Sequence, residues 1–482
     1  MNNIDNQNLY KVSRFVHFVQ LDNYFAIYNS INLAIIFVNI ELFPLFKNLN
    51  RANESGKSIS QFHSLLKETP ESQNLLEQLL NHKMLVDCAM DETEECKKWV
   101  NVLKSLPIGV LYLLTTDSCN FACRYCVIMG NMTHNKKPIL MTNEIAKERL
   151  DFFADLLARQ NVHGNNPYHL LAQEPQIIIY GGEPLLNLNT LKFILEYIRT
   201  LKHNNMLPVA TNITLNTNGS LITKEVADLL ALNIVNVSVS LDGFREHQNR
   251  ERPLITGSGS FDDVLRGYKL LKQSGCNVSI SCTLGSHNLK DALQIVDWFI
   301  DELKVEGFGF NMLVDSEVVK LGNVQEYADQ VSTIMLQCFE KARIKGVYED
   351  RIMRKAKSFV EGKIYLNDCA GCGQQIVVSP DGQIGPCQAY LGSNKNFIIP
   401  DEDFDPANHP IWNEWRMRSP LNMPQCMDCI ALGICGGGCP YDAEIRGGSI
   451  WSLDEAFCIH SKKTLSYLIK DLWSNIQTGM NN

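Results

Sequence analysis

The sequence has no apolar run long enough to cross a membrane. Its longest, INLAIIFVNIELFPLF, is interrupted by Asn39, Glu41 and Pro44, whereas a spanning helix needs about 20 apolar residues in a row. The opening MNNIDNQNLYK lacks the basic-then-apolar pattern of a secretion signal, so a cytoplasmic protein is expected. Basic charge is short as well. Lys and Arg number 44 against 53 Asp and Glu, a net charge of −9, and a nucleic-acid partner calls for a basic face. Repeats and low-complexity tracts are not evident. Hydrophobic residues make up 45% and charged residues 20%, the composition of an ordinary globular protein. A length of 482 residues leaves room for about three domains.

What the chain has in abundance is cysteine, 16 in all. Without a secretion signal, that number argues for metal thiolates rather than disulfides. Cys119, Cys123 and Cys126 form a C-x3-C-x2-C triplet in TTDSCNFACRYC, directly after the apolar run VLYLL. A 4Fe–4S cube takes four cysteine ligands, so three close thiolates leave one iron open to a chelating cofactor. A partial zinc site is the alternative, but zinc arms usually pair two C-x2-C units and no second arm lies nearby. Eight more cysteines run Cys369-x2-Cys372-x14-Cys387, then Cys426-x2-Cys429-x5-Cys435-x3-Cys439, then Cys458, with Gly382 shortly before Cys387. Cys88, Cys96, Cys276, Cys282 and Cys338 match no ligand spacing and read as ordinary thiols.

Residues 13 to 38 read as short strands, RFVHFVQL, YFAIY and NLAIIFV, split at Asp22-Asn23 and Asn29-Ser30. A helix is expected with Thr69 as N-cap, Pro70 in its first turn, and Leu75, Leu76, Leu79 and Leu80 on one face. MLVD closes this unit as a strand, and the acidic DETEE follows as a solvated linker. From residue 108 the runs GVLYLLT, QIIIYGG, NITLNT, IVNVSVSLDG, VSISCTL and GFGFNML alternate with helical patterns. One of these, TNEIAKERLDFFADLLARQ, has Thr142 as N-cap and Phe153, Leu156 and Leu157 on one face. Six such units imply a parallel sheet with right-handed crossovers and chemistry at the C-terminal strand ends. Residues 366 to 465 are rich in Gly, Pro and Cys and show little periodicity, so metal–thiolate bonds are expected to replace a normal core.

The strand ends carry distinctive turns. Tyr180-Gly181-Gly182-Glu183-Pro184 ends the second strand, TNGS (217–220) the third and VSLDG (239–243) the fourth, with SGSF (258–261) following. Paired glycines let a backbone approach a ligand closely, and a carboxylate there is a charge-assisted acceptor.

The triplet, the GGEP turn and these strand ends together resemble the radical S-adenosylmethionine superfamily, and the eight later cysteines resemble its SPASM domain. The resemblance implies an α/β protein with a partial (β/α)6 barrel and three 4Fe–4S clusters. Cys119, Cys123 and Cys126 would hold the cluster that binds S-adenosylmethionine. Gly181, Gly182 and Glu183 would take the cofactor's ammonium, and Ser240 and Arg252 its carboxylate, with Arg250 the rival for that place. Asn218 would shape the ribose pocket, and Tyr125 would lie beside the adenine. Cys369, Cys372, Cys387 and Cys439 would hold one auxiliary cluster; Cys426, Cys429, Cys435 and Cys458 would hold the other. The N-terminal strands and helices resemble the winged-helix-like recognition domain of peptide-modifying enzymes, which implies a leader peptide added as a strand. The domains then run 1–105 for leader recognition, 106–320 for the barrel, 321–365 for bridging helices, 366–465 for the SPASM domain and 466–482 for a C-terminal helix or tail.

The implied chemistry is a 5′-deoxyadenosyl radical taking hydrogen from an unactivated carbon, with a flavodoxin- or ferredoxin-type reductant. Similar sulfatase-maturating enzymes carry a catalytic Asp immediately after the third cysteine of the first auxiliary cluster. This chain has Gln388 there, which cannot accept a proton, so formylglycine formation is not expected. Oxidative crosslinking of a ribosomally made precursor peptide is expected instead, at an aromatic residue through a carbon–carbon or ether link. Thioether formation, epimerisation and maturation of a whole protein such as a sulfatase or quinoprotein subunit are the other enzymatic readings. A non-catalytic protein holding zinc is the reading of another class.

Overall fold

The computed structural model describes residues 9–43, 46, 57–58, 61, 70–130, 137–162, 174–316, 320–393, 395–401 and 404–480. Six strands open the chain: β1 (Leu9–Val12), β2 (Val16–Leu21), β3 (Tyr24–Asn29), β4 (Ile35–Asn39), β5 (Lys57–Ser58) and β6 (Leu85–Asp87). They make two antiparallel sheets, β2-β3-β4 and β5-β1-β6. MLVD therefore joins a second sheet rather than the first. Alternation along β3 divides its side chains between two faces. Phe25 and Ile27 pack with Leu76 and Leu79 of α1 (Pro70–Asn81). Ala26 and Tyr28 turn the other way and join a cluster with Ile434, Leu468 and Trp473. The expected cap Thr69 lies outside the described residues.

DETEE is not a linker. It leads into α2 (Thr93–Lys104), and Glu92 is buried, accepting hydrogen bonds from the Ser13 hydroxyl and from Arg14 N at 3.0 Å. Lys11 stands 3.7 Å from the same carboxylate. A buried carboxylate with these donors is satisfied, which a reading of charge density alone misses.

β7 (Val110–Leu114), β8 (Gln176–Tyr180), β9 (Asn212–Thr217), β10 (Asn236–Ser240), β11 (Asn277–Leu284) and β12 (Gly307–Met312) pair in parallel in chain order. Runs such as QIIIY are nearly continuous in apolar residues, as parallel strands covered on both faces require. Helix α3 (Asn143–Val162) starts where Thr142 Oγ1 accepts from Ile145 N at 3.3 Å, and it buries Phe153, Leu156 and Leu157 against the sheet.

The sheet is wider than six strands. After α4 (Val324–Ile344), β13 (Tyr348–Glu349) adds to β12 and leads into α5 (Asp350–Glu361). At the opposite edge, β14 (Gln375–Val378) pairs in parallel with β7, from Gln375 opposite Val110 to Val378 opposite Leu113, and β15 (Ile384–Gly385) folds back on it. The order is β13-β12-β11-β10-β9-β8-β7-β14-β15. The cysteine-rich segment thus supplies two strands and has a small cluster of its own in Tyr390, Trp415, Tyr441 and Ile450, while Trp412 joins the core of the parallel sheet and Leu421 and Ile434 pack with the N-terminal unit. Its elements are too short, or buried on too many sides, to show a period. The C-terminal helix α6 (Glu455–Met480) begins earlier than residue 466 and carries Cys458 in its first turn. No helix among the described residues is long and apolar enough to cross a membrane.

Trp473 of α6 seals the N-terminal unit against the rest of the chain, with its ring centroid 4.6 Å from that of Tyr24 and 4.9 Å from that of Phe37. Trp473→Ala is expected to cost about 3 kcal/mol of packing. Calorimetry should then show the N-terminal unit unfolding earlier while the transition of the parallel sheet stays in place; a single unshifted transition would refute the seal.

Candidate active site at the rim of the parallel sheet

The C-terminal ends of β7 and β8 are pressed together by the GGEP turn. Gly182 N donates to Thr116 O at 2.9 Å and Glu183 N to Ser118 O at 2.8 Å. A Cβ on Gly182 would stand 2.1 Å from Ser118 O, and Gly181 has a φ of +149°. Only glycine fits, because this backbone lies directly on the loop that carries Cys119. Glu183 is fully buried, and its carboxylate accepts from Thr217 Oγ1 at 2.7 Å, Asn218 N at 2.8 Å and Leu185 N at 3.2 Å. It ties the end of β8 to the end of β9. Burial pushes its carboxyl up to about 7, with the three donors opposing the rise. Asn218 extends the lattice: its Nδ2 donates to Asn120 Oδ1 at 2.8 Å, and Asn120 Nδ2 donates to Ser220 Oγ at 2.9 Å. The residue after Cys119 is thereby fixed in place.

A second group gathers at the end of β10. Arg252 is buried, with Nε 3.0 Å from Asp242 Oδ2 and Nη2 3.4 Å from Thr283 Oγ1. Its guanidinium lies 5.1 Å from the Tyr125 ring centroid, the Tyr125 hydroxyl donates to Asp242, and His287 stacks on Tyr125 at 6.2 Å. Burial alone would raise the Asp242 carboxyl, but Arg252, His287 and Tyr125 hold it down at about 2. Ser260 Oγ donates to Arg252 O at 2.6 Å, so the SGSF turn fixes this arginine. Arg250 is on the surface, bonded to Glu251 at 3.1 Å. Ser240 ends β10 half-buried. Asp242 was missed as a site residue. Its signal is an acid set inside an apolar strand end, where a charge needs a partner.

The eleven motif cysteines fall into three neighbourhoods. Burial raises each thiol in these sets for which a shift is resolved, and for all of them but Cys369 neighbouring thiols add to the rise. Cys119 is pushed up to about 12, with Cys123 and Cys126 as its neighbours. Cys387 is raised with Cys369 and Cys372 beside it, and Cys439 with Cys369 and Cys387. Cys458 is raised beside Cys435, Cys426 and Cys429. Cys439 therefore joins the earlier cysteines and not its sequence neighbour Cys435. Among the described residues no group of three or more His, Cys, Asp or Glu is arranged to hold a single metal ion. Thiols around a cube bind separate irons, whereas those around zinc share one centre at about 2.3 Å.

A chamber of about 1330 Å³ runs along the inner side of the sheet, from Val110 and Gln176 to Val314, Gln388 and Cys439. Tyr112 lies within reach of Cys369 and Cys387, and Tyr180 within reach of Cys119, Cys123 and Cys126. Asp442 and Asp454 also line it, both raised by burial. The side-chain carbonyl of Gln388 is buried without a hydrogen-bond partner. A pocket of about 290 Å³, lined by Arg124, Tyr125, Glu251 and His287, lies beside the triplet.

The raised Glu183 carboxyl has a consequence for the metal-free protein. Its contribution to stability is whole below pH 4.5 and is lost as pH rises to about 7, about 3 kcal/mol in all. Glu183→Gln is expected to flatten the stability profile across that window, read by urea denaturation at stepped pH. An unchanged slope would remove Glu183 as its cause.

Comparison with known proteins adds independent findings. The chain is 22% identical over 481 residues to the radical SAM cyclopropyl synthase TigE of Paramaledivibacter caminithermalis, covering 95% of each chain. It is 23% identical to a cysteine-type anaerobic sulfatase-maturating enzyme of Clostridium perfringens over 75% of this chain and 96% of that one. In fold it is similar to anSMEcpe with bound AdoMet and the Cp18Cys peptide, with a TM-score of 0.62 and 20% identity over 77% of this chain and 99% of that one. Streptococcus suis SuiB bound to S-adenosylmethionine gives a TM-score of 0.51 and 16% identity over 93% of this chain and 99% of that one. Residues 113–299 match the Radical SAM superfamily. The match opens within β7 and closes in the helix after β11, spanning the rim from the cysteine loop to Asp242 and Arg252: the chain carries a radical SAM domain.

Proposed function

We propose that this enzyme oxidatively crosslinks side chains of a ribosomally synthesised precursor peptide, at an aromatic residue through a carbon–carbon or ether bond. The chamber carries the reading. At about 1330 Å³ it exceeds the roughly 300–1,000 Å³ of a small-molecule pocket, which suits a length of peptide chain. Its lining takes in Tyr112 of β7, Ile178 of β8 and Val314 beyond β12, together with Gln388 and Cys439. The three thiol neighbourhoods support three 4Fe–4S clusters, on Cys119, Cys123 and Cys126; on Cys369, Cys372, Cys387 and Cys439; and on Cys426, Cys429, Cys435 and Cys458.

S-adenosylmethionine on the reduced rim cluster supplies, when bound, a 5′-deoxyadenosyl radical that abstracts hydrogen from carbon. The chain's part is positioning and exclusion of water. Gly181 and Gly182 present a bare backbone edge to the cofactor's ammonium, and buried Glu183 keeps that edge in place. Asp242 orients Arg252, which with Ser240 receives the carboxylate. Tyr125 flanks the adenine and Asn218 the ribose. Gln388 offers the substrate an acceptor but no base. Residues 1–105 serve as the leader-recognition unit, since β2 and β4 are both sheet edges among the described residues and an edge can take an added strand. A flavodoxin- or ferredoxin-type protein is the reductant.

A second reading, ring closure within one side chain, is favoured by the likeness to a cyclopropyl synthase over 95% of both chains. The anaerobically reconstituted enzyme, given a cognate precursor, S-adenosylmethionine and dithionite, is expected to yield 5′-deoxyadenosine and a peptide lighter by two hydrogens. Tandem mass spectrometry should map the loss to a bridged pair with an aromatic member; a loss confined to one aliphatic residue selects ring closure. Unchanged mass with deuterium gained from solvent would mean epimerisation and sink both.

A further inference from the structure

Arg418 is a buried charge with no carboxylate bonded to it, although its field reaches the buried Asp454. Its side chain is fully buried, and its guanidinium donates to backbone carbonyls: Nη1 to Gly437 at 2.8 Å, Nη2 to Ser452 at 3.4 Å, and Nε to Ile450. Among the described residues no Asp or Glu is paired with it, and burying an ion without compensation is costly. Asp454 offsets only part of that charge, and the surroundings supply a further partner. Gly437 lies in the turn between Cys435 and Cys439. The Arg418 carbonyl accepts from Asn367 Nδ2 at 3.0 Å, two residues before Cys369. Its charge acts on the thiols of Cys369, Cys372 and Cys426. Arg418 therefore stands where the two C-terminal cysteine sets meet.

Lys355 approaches the same region from α5. It too is fully buried, with Nζ 2.9 Å from the carbonyl oxygen of Cys435 and 3.4 Å from that of Ile434. Its ammonium lies 4.1 Å from the Phe457 ring centroid and 3.9 Å from Asp368 Oδ1. Asp368 is shared with Arg351 at 3.4 Å, so it offsets only part of the positive charge here.

We propose that Arg418, assisted by Lys355, is a built-in counter-ion of the two auxiliary 4Fe–4S clusters and sets their reduction potentials. A cube with four thiolates is anionic and gains one further negative charge with each electron it accepts. A fixed cation in a dry interior favours the reduced form. Arginine suits the post because it does not give up its proton. The inference rests on the reading of two auxiliary clusters, which iron and sulfide analysis of the wild-type protein tests first. About twelve irons per chain are expected from three four-iron clusters, and about four would remove that reading before any variant is compared.

The deciding experiment is a dithionite titration followed by electron paramagnetic resonance, on holoprotein carrying Arg418→Gln, Lys355→Met or Lys355→Arg. With iron content unchanged, Arg418→Gln is expected to move both auxiliary potentials to more negative values. Lys355→Met should move chiefly that of the cluster bound by Cys435, and Lys355→Arg should restore it. If Arg418→Gln loses iron through misfolding, Lys355→Met decides. Full iron with unmoved potentials in that variant overturns the proposal, as does loss of iron from both charge-removing variants, which would make these cations structural ties.

Discussion

The pairing of β14 with β7 is the constraint on which the rest of this architecture depends. β7 delivers the chain to Cys119, while Cys372 lies just ahead of β14 and Cys387 just beyond β15. Joining these strands in parallel fixes the first C-terminal cysteine set near their start and the rim triplet near their end. A four-residue strand is about 13 Å long, so the separation between the two chemistries is set by backbone hydrogen bonds. Tyr112 and Tyr180 lie along this path, and the chamber opens at its Tyr112 end, beside Cys369. A one-residue slip would turn Tyr112 out of the interior.

The rim itself is held by polar groups bonded to one another, with His287 Nε2 set 3.7 Å from Asp242 and short of a hydrogen bond. Glu183, Asn218, Asn120 and Ser220 form one lattice; Asp242, Arg252, Tyr125 and His287 form another. Networks of this kind fix a unique geometry when complete. The second C-terminal cysteine set is held differently, by contact with the N-terminal unit. Arg14 pairs with Asp428 at 2.7 Å between Cys426 and Cys429, and Cys96 Sγ lies 3.6 Å from Met427 Sδ. A Cβ on Gly433 would fall 2.5 Å from both Leu33 and the Ser30 carbonyl. The N-terminal unit is thus also a wall of the cysteine-rich segment, so deleting residues 1–105 would remove packing from the second cysteine set as well as the sheet edges.

Much of this was legible in the sequence because it is local. The six parallel strands, the Thr142 cap and the glycine turn at the rim announce themselves through period, capping chemistry and steric need. What was not legible depends on distant partners. Glu92 reads as one acid in a charged run until Ser13 and Arg14 fold over it. QIVV is too short to declare itself a barrel strand, and nothing near Arg418 in the sequence indicates that its charge is buried. Asp242 stood in a noted motif, but its partners Tyr125 and His287 come from other loops. The thiol neighbourhoods are long-range too: Cys439 sits four residues from Cys435 yet joins Cys369 and Cys387.

The packing of α6 against the outer face of β2-β3-β4 also bears on how the chain is made. Tyr24, Ala26, Tyr28 and Phe37 are covered by Leu465, Leu468, Ile469 and Trp473, which are made about 430 residues later. At about 5–20 residues per second, the first sheet waits on the order of tens of seconds for its cover. Through that time it shows a sticky aromatic surface. Biosynthesis therefore places a demand on chaperones at this sheet until α6 emerges and relieves it.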